Sequence, residues 1–257
     1  MSRDEYTRRF EGRSEAYSRY RPRYPQEVIR ILRDEIGLDS RAVVADVGSG
    51  TGFLSELFLE NGNRVYCIEP NRDMRTAAEA RLQGYAPRFL SVDGRAEATG
   101  LGAGSVDLVT AGQALHWFAP TETRVEFDRI LKRHGPVVII YNHRREDDPP
   151  GRAYAELVER YAGDRAPVPD IDDAYIAMFL GNDLFKKFVM PNSQTLDLEG
   201  FLGRLASASY MPKEGDSRWA GVREDALAII NEHGSGGRVT LHYHTAMYLG
   251  AVRPGPL

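Results

Sequence analysis

From residue 42 to residue 142 the chain alternates between short apolar runs and helix-forming segments, and this rhythm decides the fold class. The runs are "AVVADV" (42–47), "RVYCIE" (64–69), "RFLSV" (88–92), "VDLVTAG" (106–112) and "PVVIIYN" (136–142). Valine- and isoleucine-rich stretches of this kind suit strands buried on both faces. Between them, residues 52–61, 72–82 and 121–133 carry helical composition. Strands and helices in alternation imply an α/β fold: a mostly parallel sheet, helices on both faces, right-handed crossovers. A helix over "QEVIRILRDEIG" (26–37) precedes the first strand, with Val28, Ile29, Leu32 and Ile36 on one face and Gly37 as its stop.

After Asn142 the rhythm breaks. "HRREDDPPG" (143–151) is expected as a polar loop, and 151–181 as partly helical, interrupted at Pro167 and Pro169. A sixth strand is expected over 184–190, helices over 198–210 and 218–233, and a final strand over 238–252. The chain of 257 residues can bury its core without disulfides or a structural metal. The net charge of −4 and the lack of a basic run argue against a nucleic-acid binder. The polar N-terminus gives no secretory signal, and no 18-residue apolar stretch suggests a membrane span. A cytoplasmic protein is the expectation. Cys67, the only cysteine, falls in an apolar run and is expected to be buried.

The first strand runs into "VVADVGSGTGFLSE" (43–56), which joins strand to helix through glycines at 48, 50 and 52. A phosphate-binding P-loop requires Lys followed by Ser or Thr at the loop's end, where this chain has Phe53 and Leu54. The dinucleotide fingerprint G-x-G-x-x-G places its third glycine one residue further on. An NAD-dependent oxidoreductase is thereby disfavoured.

"DVGSGTG" resembles the first motif of class I S-adenosylmethionine (SAM)-dependent methyltransferases. That resemblance implies a Rossmann-like seven-stranded sheet with an antiparallel final strand at its edge. It also implies SAM as methyl donor and S-adenosylhomocysteine (SAH) as product. It assigns Asp46, Gly48, Gly50 and Gly52 to the cofactor's amino-acid end, and Glu69, followed by Pro70, to the ribose hydroxyls. In "VDGRAEATGL" (92–101), relatives often hold adenine with an acid where this chain has Arg95, so the candidates are a carboxylate from Asp93 or Glu97, or backbone groups near Arg95 and Ala96 alone. "QALHWF" (113–118) follows the fourth strand, placing Gln113 near the cofactor, Trp117 near the acceptor, and His116 as a candidate general base.

"FEGRSEAYSRYRPRYP" (10–25) resembles a cofactor-covering segment, with Phe10, Tyr17 and Tyr20 at helical spacing and Arg21 as a partner for the methionine carboxylate. The tail "LASASYMPKEGD…RVTLHYHTAMYLG" resembles enzymes related to trans-aconitate methyltransferase. The family's inserts suggest a lid over 143–181 and 197–217, with the core at 26–142 and 184–252 forming one domain. The lid offers Tyr154, Tyr161, Tyr175, Phe179, Phe201, Tyr210 and Met211, and His143 and Arg144 are candidate acceptor contacts. The implied partner is a small-molecule acceptor. The alternatives are a non-catalytic SAM or SAH binder and, less well supported, a nucleic-acid methyltransferase.

Overall fold

A computed structural model describes residues 19–133, 135–163, 171–208, 210–212 and 214–252. Seven strands form one sheet: β1 (Val43–Val47), β2 (Arg64–Ile68), β3 (Phe89–Val92), β4 (Leu108–Gly112), β5 (Val137–Arg144), β6 (Phe185–Leu196) and β7 (Val239–Gly250). Their order is β3-β2-β1-β4-β5-β7-β6. Strands β1 to β5 pair in parallel, and β7 runs antiparallel to both β5 and β6. The final strand is therefore antiparallel, as expected, but it does not form the edge. It is inserted between β5 and β6, which leaves β6 outermost.

The helices are α1 (Glu27–Ile36), α2 (Phe53–Glu60), α3 (Arg72–Leu82), α4 (Pro120–Ile130), α5 (Pro149–Tyr161), α6 (Asp173–Leu180), α7 (Leu198–Ala206) and α8 (Trp219–His233). Helix α1 stops at Gly37, whose φ of 65° is the left-handed cap that glycine adopts without strain. Its buried face is Val28, Ile29, Ile31 and Leu32, whereas Ile36 is exposed. Period counting carried the apolar stripe one turn too far.

Alternation along each strand divides the core between two faces. One face packs α1 and α2 against Val44, Val65, Cys67, Leu108, Val138 and Ile140. The other packs α4 and α6 against Ala45, Val47, Val109, Val137, Ile139 and Tyr141. Helix α6, expected in a lid, belongs to this second layer through Ile176, Phe179 and Leu180.

A third apolar cluster joins α5, α7 and α8 to Leu196, Val239, Leu241 and Tyr243. Strands β6 and β7 pair over twelve residues each, whereas β7 meets β5 only from Tyr243 onward. The two long strands thus project past the carboxyl ends of the parallel strands as a ribbon, and the three helices sit on it as a cap. Helix α8 belongs to this cap, although the sequence placed it with the core. The "HRREDDPPG" segment is also more ordered than expected. His143 and Arg144 extend β5, and Pro149 and Pro150 open α5, where a missing N–H costs nothing. Asp148 caps that helix by accepting from the Gly151 amide. No described helix is long and apolar enough to cross a membrane.

Candidate functional site

A cleft opens at the carboxyl ends of β1 and β4, where open α/β sheets bind ligands. The turn from Gly48 to Thr51, with Phe53 and Leu54, forms one wall. Gly112, Gln113, Ala114 and Trp117 form another, and Tyr24, Asp46 and Met74 complete it. The turn holds its shape through its backbone. The Gly48 and Ser49 amides both donate to the Ile68 carbonyl, at 2.9 and 3.1 Å. Gly48 has φ 67°, and an added β-carbon would meet the Ala114 β-carbon at 2.7 Å. At Gly50, φ is 56°, and the same atom would meet nothing within 4 Å. One glycine is thus required by packing, while the other keeps open the space in front of the turn.

Two hydroxyls in this turn, Ser49 Oγ and Thr51 Oγ1, are buried without a hydrogen-bond partner. Such orphans are rare in folded proteins and point to a missing polar ligand. They fit the amino-acid and ribose groups of a nucleoside-linked cofactor. Neither stood out in the sequence, although their position between the glycines was the available signal.

Asp46 is fully buried. It accepts from Ser55 Oγ at 2.5 Å and from Thr110 Oγ1 at 3.2 Å. Burial pushes its carboxyl up to about 6, against those two hydroxyls. Cys67 Sγ donates to Ser55 Oγ at 3.0 Å, and burial pushes that thiol up as well. This chain of hydrogen bonds fixes β1, α2, β2 and β4 beneath the turn.

Glu69, expected at the ribose, is 1% exposed. One oxygen accepts from the Gly50 amide at 3.0 Å, the other from the Asn71 amide at 2.8 Å. It therefore clamps the turn to the start of α3. Pro70 is half-buried beside it. Asp93 pairs with Arg75 at 3.1 Å, and Arg95 pairs with Glu97 at 3.4 Å. Ala96 is buried in the sheet core. Neither these three adenine candidates nor Glu97, the alternative carboxylate, lines the cleft.

Gln113 and Trp117 do line it. Gln113 has φ 56°, a left-handed conformation that costs a side-chain-bearing residue about 1–2 kcal/mol. Its amide donates to the Ile140 carbonyl at 2.9 Å and its Nε2 to the Asn142 carbonyl at 3.3 Å. Strained residues of this kind cluster at active sites and ligand clamps. His116 is not among the lining residues. Its Nδ1 lies 3.3 Å from the Tyr141 hydroxyl, and burial lowers its pKa to about 4. His143 stacks on Tyr141 at 5.9 Å and faces a separate hollow shared with His244 and Lys187. Arg144 lies over the Tyr154 ring at 4.3 Å, in the cap.

The segment from Tyr20 to Tyr24 crosses between cap and cleft. The Tyr20 hydroxyl donates to Glu199, and its carbonyl accepts from Gln194 Nε2. Arg21 donates to the hydroxyl and carbonyl of Ser207 at the end of α7. It is directed into the cap rather than to the cleft. The residue of this segment that reaches the cleft is Tyr24, which the sequence did not single out. Phe10 and Tyr17 lie outside the described residues. Of the residues expected in the lid, Tyr154, Phe201 and Met211 fill the cap core, and Phe179 fills the sheet core.

Comparison with known proteins agrees with this geometry. Residues 45–139 match a family model described as a methyltransferase domain. An uncharacterised methyltransferase of Mycobacterium bovis is 34% identical over 60% of this chain and 59% of its own length. A methyltransferase-like protein of Schizosaccharomyces pombe is 29% identical over 93% of each chain. The chain spans only 57% to 59% of the length of the first curated relatives it matches. A candidate type II methyltransferase from Anaeromyxobacter dehalogenans has the same fold, with a TM-score of 0.67 at 22% identity over 92% of this chain and all of that one. The sheet order, the glycine turn at the end of β1 and the matched segment agree: residues 45–139 are similar to a methyltransferase domain, and the chain has the Rossmann-like fold of its methyltransferase structural neighbours.

Proposed function

We propose that the protein is a single-domain enzyme that transfers a methyl group from SAM to oxygen, nitrogen or carbon of a small molecule, releasing SAH. The observation that carries this reading is the turn at residues 48–52. Two buried hydroxyls without partners flank a glycine whose missing side chain leaves open space. When bound, SAM supplies an electrophilic methyl on a sulfonium that is already a good leaving group.

In this reading Asp46, Gly48, Gly50 and Gly52 shape the cradle, Ser49 and Thr51 hydrogen-bond the cofactor, and Glu69 with Pro70 serves the ribose end. Gln113 and Trp117 form the side of the cleft from which an acceptor approaches. Holding nucleophile and methyl in line is the main contribution expected of such a site. His116 is assigned no general-base role, because a pKa near 4 leaves little basicity at neutral pH and the ring faces Tyr141. Thermal-shift measurements with SAH, SAM and NADH test the proposal. Stabilisation by SAH and SAM but not NADH is expected, and no response to SAH would refute it.

A further inference from the structure

Arg144 and Arg204 meet at one aromatic ring. Their guanidinium carbons lie 4.3 and 5.9 Å from the centroid of Tyr154, which is 2% exposed. Each arginine buries its Nε without a hydrogen-bond partner. Arg204 is 7% exposed; it is hydrogen-bonded to Tyr243 and lies beside Tyr154 and Tyr210. No ion pair engages it among the described residues. Arg144 has a partner only at its outer end, where one terminal nitrogen meets the exposed Glu146 at 2.7 Å. A guanidinium removed from water without a counter-charge is strongly unfavourable, so a fold that keeps one invites an anion.

The position of this pair connects it with the cleft. Arg144 lies two residues beyond Asn142 on β5, so both side chains leave the same face of the strand, about 7 Å apart along it. The Asn142 carbonyl holds Gln113, which lines the cleft. Tyr243 is the cross-strand partner of Arg144 and shares that face. Tyr154 and Tyr243 belong to the cap cluster, so the arginines lie where the cap meets the end of β5. We infer that Arg144 and Arg204 form an anion-recognising subsite for the acceptor, taking a carboxylate or phosphate group bidentately beside Tyr154. The inference rests on the proposed methyltransferase function for what the anion is attached to. It places an acidic group of the acceptor about 7 Å along β5 from Asn142, whose carbonyl holds Gln113.

The test is a titration of the full-length protein, with and without saturating SAH, followed by thermal shift and calorimetry. Succinate and inorganic phosphate are the probes, with succinamide as the neutral control and sodium chloride to match ionic strength. Succinate or phosphate should stabilise the protein while the controls do not, and the stronger of the two identifies the acidic group. Arg204→Met and Arg144→Gln should each weaken that response at least ten-fold and leave SAH affinity unchanged. Arg204→Met should also melt no lower than wild type, because a buried unpaired charge is removed. The inference is overturned if neither anion exceeds the salt control, or if the variants respond like wild type. It is also overturned if SAH affinity falls ten-fold in the variants, which would assign the arginines to the cofactor's own carboxylate. Failure of SAH to bind wild type would instead refute the cofactor reading, while the titration without SAH still decides the anion subsite. If Arg204→Met does not fold, Arg144→Gln carries the same comparison.

Discussion

Gly48 and Gly50 share a left-handed backbone and differ in what surrounds them, so substituting each with alanine separates folding from binding. In Gly48→Ala the left-handed conformation costs about 1–2 kcal/mol. Its β-carbon would also lie 2.7 Å from the Ala114 β-carbon and 3.2 Å from the Phe118 ring. Overpacking of that kind adds about 1–3 kcal/mol, and the stiffer unfolded chain returns about 0.4–1 kcal/mol. The net loss is about 3 kcal/mol, or a Tm drop of roughly 6–12 °C for a chain of this size. In Gly50→Ala the clash is absent, so the net loss is about 1 kcal/mol and the Tm falls roughly 2–4 °C. The new methyl group then occupies the space before the turn, and SAH affinity should fall at least ten-fold, about 1.4 kcal/mol. Urea denaturation and isothermal titration of both variants supply the two readouts. Gly50→Ala binding SAH like wild type would refute the placement of the cofactor against this turn, and equal Tm losses would refute the packing argument.

Three further outcomes are expected. Glu69→Ala removes the acceptor that clamps the Gly50 and Asn71 amides, so it should weaken SAH binding by about 1–3 kcal/mol, measured by calorimetry. Unchanged affinity would remove Glu69 from the site. Asp46 has a carboxyl raised from 3.8 to about 6, so its protonated form favours folding. That contribution is fully present below about pH 4 and is lost as pH rises through 6, a change of about 3 kcal/mol. The stability of Asp46→Asn relative to wild type should therefore rise by this amount between pH 4 and 8 in urea titrations; a constant difference would contradict the assignment. Burial lowers the pKa of His116 to about 4, so its imidazole should remain neutral from pH 8 down to about 5 by NMR titration. A midpoint near the ordinary histidine value would show the ring to be solvated.

The parallel half of the fold was legible because local signals agreed there. Valine-rich runs, helix formers and the glycine turn each pointed to the same unit, and β1 to β4 with α2 and α3 lie within two residues of their expected bounds. Asp46, Gly48 and Gly50 line the cleft for the same reason, since the turn itself carries them there. The second half was harder to read. Strand β6 continues six residues past the apolar run that announced it, because "PNSQTL" pairs along β7 at an exposed edge and needs no apolar pattern. The cap and core assignments of α6 and α8 depend on tertiary packing that no periodicity encodes. Around the cleft, Tyr24 and Met74 come from distant segments without a local motif, and the direction of Arg21 towards Ser207 is set by α7, 186 residues away.

The long β6–β7 ribbon bears on how such a protein can change its specificity. The cap's apolar cluster is anchored to these two strands, whereas the glycine turn is built wholly from residues before the middle of the chain. On the proposed reading, the donor cradle therefore lies before the middle of the chain and the anion-binding arginines lie after it. A cap transplanted from a related chain onto the same two strands would redirect the choice of acceptor while leaving the donor cradle intact, so the ribbon is the natural junction for building chimaeras.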